Sequence, residues 1–114
     1  MSNDAREVRA KKESETRNVT VNFADVLDEN ELLTGIPLVA DTESPQSLVI
    51  DNIQINTVAL TVEGESVSIG QAIQFRVSGG TIGQHYISIS CGTDSTPAQS
   101  IGPKLIVLLV IPDI

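Results

Sequence analysis

The chain of 114 residues carries 15 acidic against 7 basic side chains, a net charge of −8, and is 40% apolar with Phe23, Phe75 and Tyr86 as its aromatics. One core fits that size, and without tryptophan it must be built from Val, Ile and Leu, which favour strands. No stretch approaches the roughly 20 apolar residues of a membrane helix, the N-terminal segment lacks the apolar run of a secretory signal, and a single cysteine excludes an internal disulfide.

Residues 1–18 hold five of the seven basic residues, Arg6, Arg9, Lys11, Lys12 and Arg17, whereas Arg76 and Lys104 face eleven acids from residue 19 on. The body therefore repels phosphate, which argues against nucleic acid as a partner. Residues 1–16 read as a charged arm, flexible or docked on a partner, and 17–114 as the domain. In the domain, "NVTVNF" sets Val19, Val21 and Phe23 on one face, the period of a half-buried strand. "ADVLDENELLTG" reads as a helical turn or compact loop packed by its leucines, and "IPLVA" as a short strand. "LVIDNIQI", "TVALTV", "SVSI" and "AIQFRV" alternate between turn signals and predict an antiparallel meander. After "SGGTIGQ", His85, Ile87, Ile89 and Cys91 share one face of a strand, and "IGPKLIVLLVI" closes the sequence as the last. About seven short antiparallel strands with little helix predict an all-β protein, an immunoglobulin-like β-sandwich with a flexible N-terminal arm.

The candidate sites are few. Ser78, His85 and Asp94 supply the residue types of a nucleophile, base and acid triad, but no nucleophile-elbow pattern accompanies them, and no catalytic residue is assigned. Gly79, Gly80 and Gly83 sit between two strands, not between a strand and a helix. A sheet-to-sheet corner is thus expected in place of a phosphate loop, with Tyr86 bonding to nearby backbone as a structural residue. Asp25, Asp28, Glu29 and Glu31 lack the spacing of a calcium loop, and the "NVT" sequon at 18–20 is read as strand. Cys91 shares an apolar face, where burial suppresses the thiolate. No metal, cofactor or small-molecule substrate is expected.

"KLIVLLVI" is apolar on both sides. With Leu105, Val107, Leu109 and Ile111 on the core, Ile106, Leu108 and Val110 are expected to point outward. Burial of each such side chain is worth about 1.5–3 kcal/mol, so a cover is expected, from the chain itself or from a partner. Ile106, Leu108 and Val110, with Arg6, Arg9, Lys11 and Lys12 of the arm, are the predicted partner interface.

The runs "VTVNFADVLDENELLTGIPLV" and "IQFRVSGGTIGQHYISISCGTDS" resemble the small immunoglobulin-like virion proteins of tailed bacteriophages, fibre–tail or head–tail adaptors. Val21, Phe23, Leu27, Glu31, Leu33, Val77, Gly79, Gly80, Gly83 and Tyr86 carry the resemblance, which spans about residues 17–110. It implies a non-enzymatic, multi-copy structural protein, a homo-oligomer or part of a symmetric assembly with other virion proteins. Such a protein is made in the host bacterial cytoplasm and located in the virion, with no membrane partner. The alternatives are a capsid decoration protein on the phage head and a small ligand-binding or hydrolytic β-domain.

Overall fold

An extended chain puts alternate side chains on opposite sides, so alternating apolar and polar residues make strands with one wet face. The computed structural model describes residues 7–42, 47–62 and 64–113, and nearly all of its regular structure is strand. Nine strands occur among the described residues: β1 (Glu7–Lys12), β2 (Arg17–Asn22), β3 (Leu33–Asp41), β4 (Leu48–Ile55), β5 (Leu60–Val62), β6 (Glu65–Val67), β7 (Ala72–Gly79), β8 (Gly83–Thr93) and β9 (Ser100–Ile111). Among the described residues one 3-10 turn occurs, Ala24–Val26, in the acidic loop read as a helical turn or compact loop.

Two sheets share one core. A four-stranded sheet in the order β1-β9-β8-β3 and a three-stranded sheet in the order β2-β7-β4 both contribute to it: Val19, Val21, Phe75 and Val77 from one, Ile87, Ile89, Ile106 and Leu108 from the other. The protein is all-β. The meander expected in the middle does not form, because β4 pairs with β7 and only β5 and β6 make a hairpin between them. That hairpin has its own small core of Val62, Val67 and Ala72, with Leu60 against it.

The N-terminal segment departs from the arm expected over residues 1–16. Glu7–Lys12 is a sheet strand, and it runs parallel to β9, so the set is not wholly antiparallel. Residues 1–6, and with them Arg6, lie outside the described residues. Arg9 and Lys11 fall on the inner side of β1 and close the gap between the sheets. Arg9 Nη2 donates to Thr20 O at 3.2 Å, and the buried Lys11 Nζ donates to the carbonyls of Lys12, Glu13 and Glu15 at 2.9, 3.1 and 3.0 Å. Three carbonyl dipoles thus replace the water an ammonium gives up on burial. Neither side chain is presented to a partner as expected; Lys12 is exposed.

The last strand has the opposite phase from the expected one. Ile106, Leu108 and Val110 are 1%, 0% and 1% exposed and belong to the core, while Leu105, Val107 and Leu109 are half-buried on the outer side and Ile111 is exposed. Register decides this: Leu108 lies beside His85 and Ile106 beside Ile87, whose side of β8 faces inward. Lys104, beside Ile89, also falls on the inner side, at the mouth of the core. Its ammonium sits 5.3 Å from the centroid of Phe23 and donates to Asn22 O and Asp25 Oδ1, both at 2.7 Å, so the charge emerges while the stem covers the ring.

Candidate functional site

The glycine-rich corner joins β7 of one sheet to β8 of the other, the crossing expected of it. At Gly80, φ +94° strains any side chain, and a Cβ would lie 2.7 Å from Leu48 Cδ2 and 3.2 Å from Val110 Cγ2, so both would have to move. Close packing of the corner onto both sheets thus favours glycine there. The inward-turning residue is His85. Its Nε2–H donates to Thr81 O at 2.6 Å, and Nδ1 faces Asp41 Oδ2 at 3.8 Å. Both side chains are buried. Tyr86 lies on the outer face, its hydroxyl donating to Gln84 Oε1 at 3.2 Å, so the corner is clasped by histidine in the role expected of tyrosine.

Ser78, His85 and Asp94 are not brought together. Ser78 is on β7 in the opposite sheet, and Asp94 follows β8 nine residues beyond His85, about 30 Å away at about 3.3 Å per residue. Asp94 Oδ1 instead accepts from Leu32 N at 2.8 Å. Cys91 is buried, its thiol pushed up by that burial while it donates to Thr34 O at 3.4 Å. An opening of about 260 Å³ lined by Val39, Ala40, Asp41, Leu48 and Ile50 lies between β3 and β4, smaller than the roughly 300–1,000 Å³ of ordinary ligand pockets.

The acidic loop is a clasp. Glu31, 4% exposed, accepts from Asp28 N at 2.9 Å and from Gln99 Nε2 at 2.8 Å, and Gln99 also donates to Asp28 Oδ2 at 2.9 Å. Among the described residues no group of three or more His, Cys, Asp or Glu is gathered for a metal. The Asp28 amide, then the Ser95 and Thr93 hydroxyls, hold the Glu31 carboxyl down to about 2 from an ordinary 4.5. A lowered pKa stabilises the fold above the ordinary value, and that contribution is lost as pH falls through the folded one. Glu31→Gln is therefore expected to lower the urea midpoint at neutral pH, with the deficit shrinking between pH 4.5 and about 2. A deficit independent of pH would refute the clasp.

The two outer faces differ in kind. On the three-stranded sheet the outward positions are Asn18, Thr20, Gln74, Arg76, Ser78, Asp51, Gln54 and Val49, with Arg76 bonded to both oxygens of Asp51 at 2.9 and 3.0 Å. On the four-stranded sheet, paired rows place Val8 beside Val107 and Tyr86, Ala10 beside Leu109 and Gln84, and Leu105 beside Ser88 and Ala40. Leu38, next to Ser90, is 72% exposed and Val8 57%. Lys12 is the one charge among the described outward side chains of that sheet. The outward aliphatics of β9 are thus Leu105, Val107 and Leu109, not the Ile106, Leu108 and Val110 expected, and Val8 and Leu38, which the sequence reading missed, join them.

No protein-family model, curated protein or solved structure matches the chain.

Proposed function

We propose that the chain is a non-enzymatic structural protein of a bacteriophage particle, an immunoglobulin-like β-sandwich and adaptor between virion components, tail and fibre or head and tail, that assembles by docking through the outer face of β1, β9, β8 and β3. Strand order supports the fold: β1 lies beside β9, β3 beside β8, and β2 and β4 flank β7, neighbours from distant parts of the chain such as Greek-key sandwiches have. The observation that carries the docking reading is the contrast between the two outer faces. An antiparallel sheet open to water alternates apolar-in with polar-out; the three-stranded sheet keeps mainly to this, whereas the four-stranded sheet also turns Val8, Leu38, Leu105, Val107 and Leu109 outward among Gln84, Ser88 and Ser90. The virion address rests on the resemblance over residues 17–110.

Val107→Glu is the test, since it charges the centre of the outer face without entering the core. Particles assembled with this variant are expected to lack the chain, although the isolated variant keeps a cooperative thermal transition. Cryo-electron microscopy of wild-type particles should then place the chain at the tail or portal. Density on capsid lattice points would favour decoration, and normal incorporation of the variant would sink docking by this face.

A further inference from the structure

The outer face has relief as well as apolarity. On β9 the outward side chains are bulky, Leu105, Val107 and Leu109, and they form a ridge. On β8 the outward residues beside Val107 and Leu109 are Tyr86 and Gln84, and from the level of Leu105 on they become small, Ser88 and Ser90, a trough bounded on its other side by Leu38 and Ala40 of β3. Ridge and trough lie one strand apart, about 4.8 Å.

We infer that the occupant of this face is a second copy of the chain, in a two-fold dimer whose β9 ridge seats in the partner's serine trough. The inference rests on the docking reading and names its partner. A ridge beside a trough on one surface is self-complementary under a two-fold axis, because each copy offers the shape the other lacks. Area agrees. Strands of 6, 12, 11 and 9 residues, at about 3.4 Å per residue and about 4.8 Å apart, present a face of about 600 Å² per copy. The pair buries about 1,200 Å², the lower bound of a stable specific interface. Charge permits it: the described outward side chains of this face carry no carboxylate, so the contact sets no acids against each other between two chains of net charge −8. The residues of this sequence outside the described set, 1–6, 43–46, 63 and 114, are mostly polar and supply no aliphatic segment to lie there instead.

Sedimentation equilibrium of wild type, Val107→Glu, Ser88→Leu and Leu38→Glu tests this. Wild type is expected to be a dimer at micromolar concentration. Val107→Glu strands a charge in the contact, Ser88→Leu fills the trough, and Leu38→Glu alters a side chain too exposed to unfold the monomer. Each is expected to weaken association at least about a hundredfold, with a thermal midpoint that no longer rises with protein concentration. A wild type that stays monomeric at its solubility limit, or variants that remain dimers, overturns self-pairing. If wild type is monomeric and Val107→Glu is still left out of particles, docking on another component stands; if that variant is incorporated normally, both readings fail.

Discussion

Replacing Leu108 with serine is expected to remove about 4–6 kcal/mol of stability, enough to leave a domain of this size largely unfolded at room temperature if it begins near the lower end of the usual 5–15 kcal/mol. Leu108 is 0% exposed and packed among Ile106, Val110 and the apolar side of β8. Truncating a buried leucine costs about 2–5 kcal/mol, and an unpartnered hydroxyl left in the cavity adds about 1–3 kcal/mol. Its neighbour provides the control: Val107→Ser, one residue away on the outer side, is expected to cost the isolated chain less than about 1.5 kcal/mol. Urea unfolding of the two variants measures the difference. Equal losses would mean that β9 does not have the phase described, and the account of both faces would fail with it.

Asn56→Leu is the second large effect, expected at about 3–5 kcal/mol. The Asn56 side chain is buried and fully used. Its Oδ1 accepts from the amides of Gly70, Gln71 and Ala72 at 3.0, 3.1 and 2.9 Å, and its Nδ2 donates to Val58 O and Ser68 O, both at 2.9 Å. One side chain thereby ties the end of β4 to both sides of the β5–β6 hairpin. Leucine fills the volume but leaves buried amides without that acceptor, each worth about 1–3 kcal/mol. Hydrogen exchange locates the damage: the Ala72 amide is expected to lose protection together with the hairpin, while Ile87 and Ile89 keep theirs until global unfolding. Uniform deprotection across both sheets would show that the hairpin is not a separable unit.

The strands were legible wherever polar residues marked their phase. Val19, Val21 and Phe23 alternate with Asn18, Thr20 and Asn22, and Ile87 and Ile89 with Ser88 and Ser90, so a period of two has a single solution. "KLIVLLVI" has two solutions, since aliphatics occupy both sets, and the pairing of Leu108 with His85 that selects one is a long-range fact. Lys104 adds to the ambiguity, because a lysine at the mouth of a core lies on the inner side while its charge reaches water. Arg9 and Lys11 were hidden for a related reason: charge is read locally as solvent, and only the neighbouring β2 and the turn at 13–15 show where their donors go. The pairing of Asp41 with His85 left a usable signal. Asp41 is in phase with Pro37 and Val39, as His85 is with Ile87 and Ile89, and two ionisable residues on apolar faces imply each other as neighbours. Asn56 left none, because its five bonds are all made to atoms whose positions the fold sets.

The placement of β1 beside β9 bears on force. The two strands are parallel, from Glu7 beside Ile106 to Lys12 beside Ile111. Tension entering the chain ahead of β1 and leaving it beyond β9 would drag the strands past each other along their length, loading the rungs of that ladder in shear together. An antiparallel pair pulled from adjacent ends opens like a zip, one rung at a time. A chain held by these two points would resist until the whole ladder gave way at once.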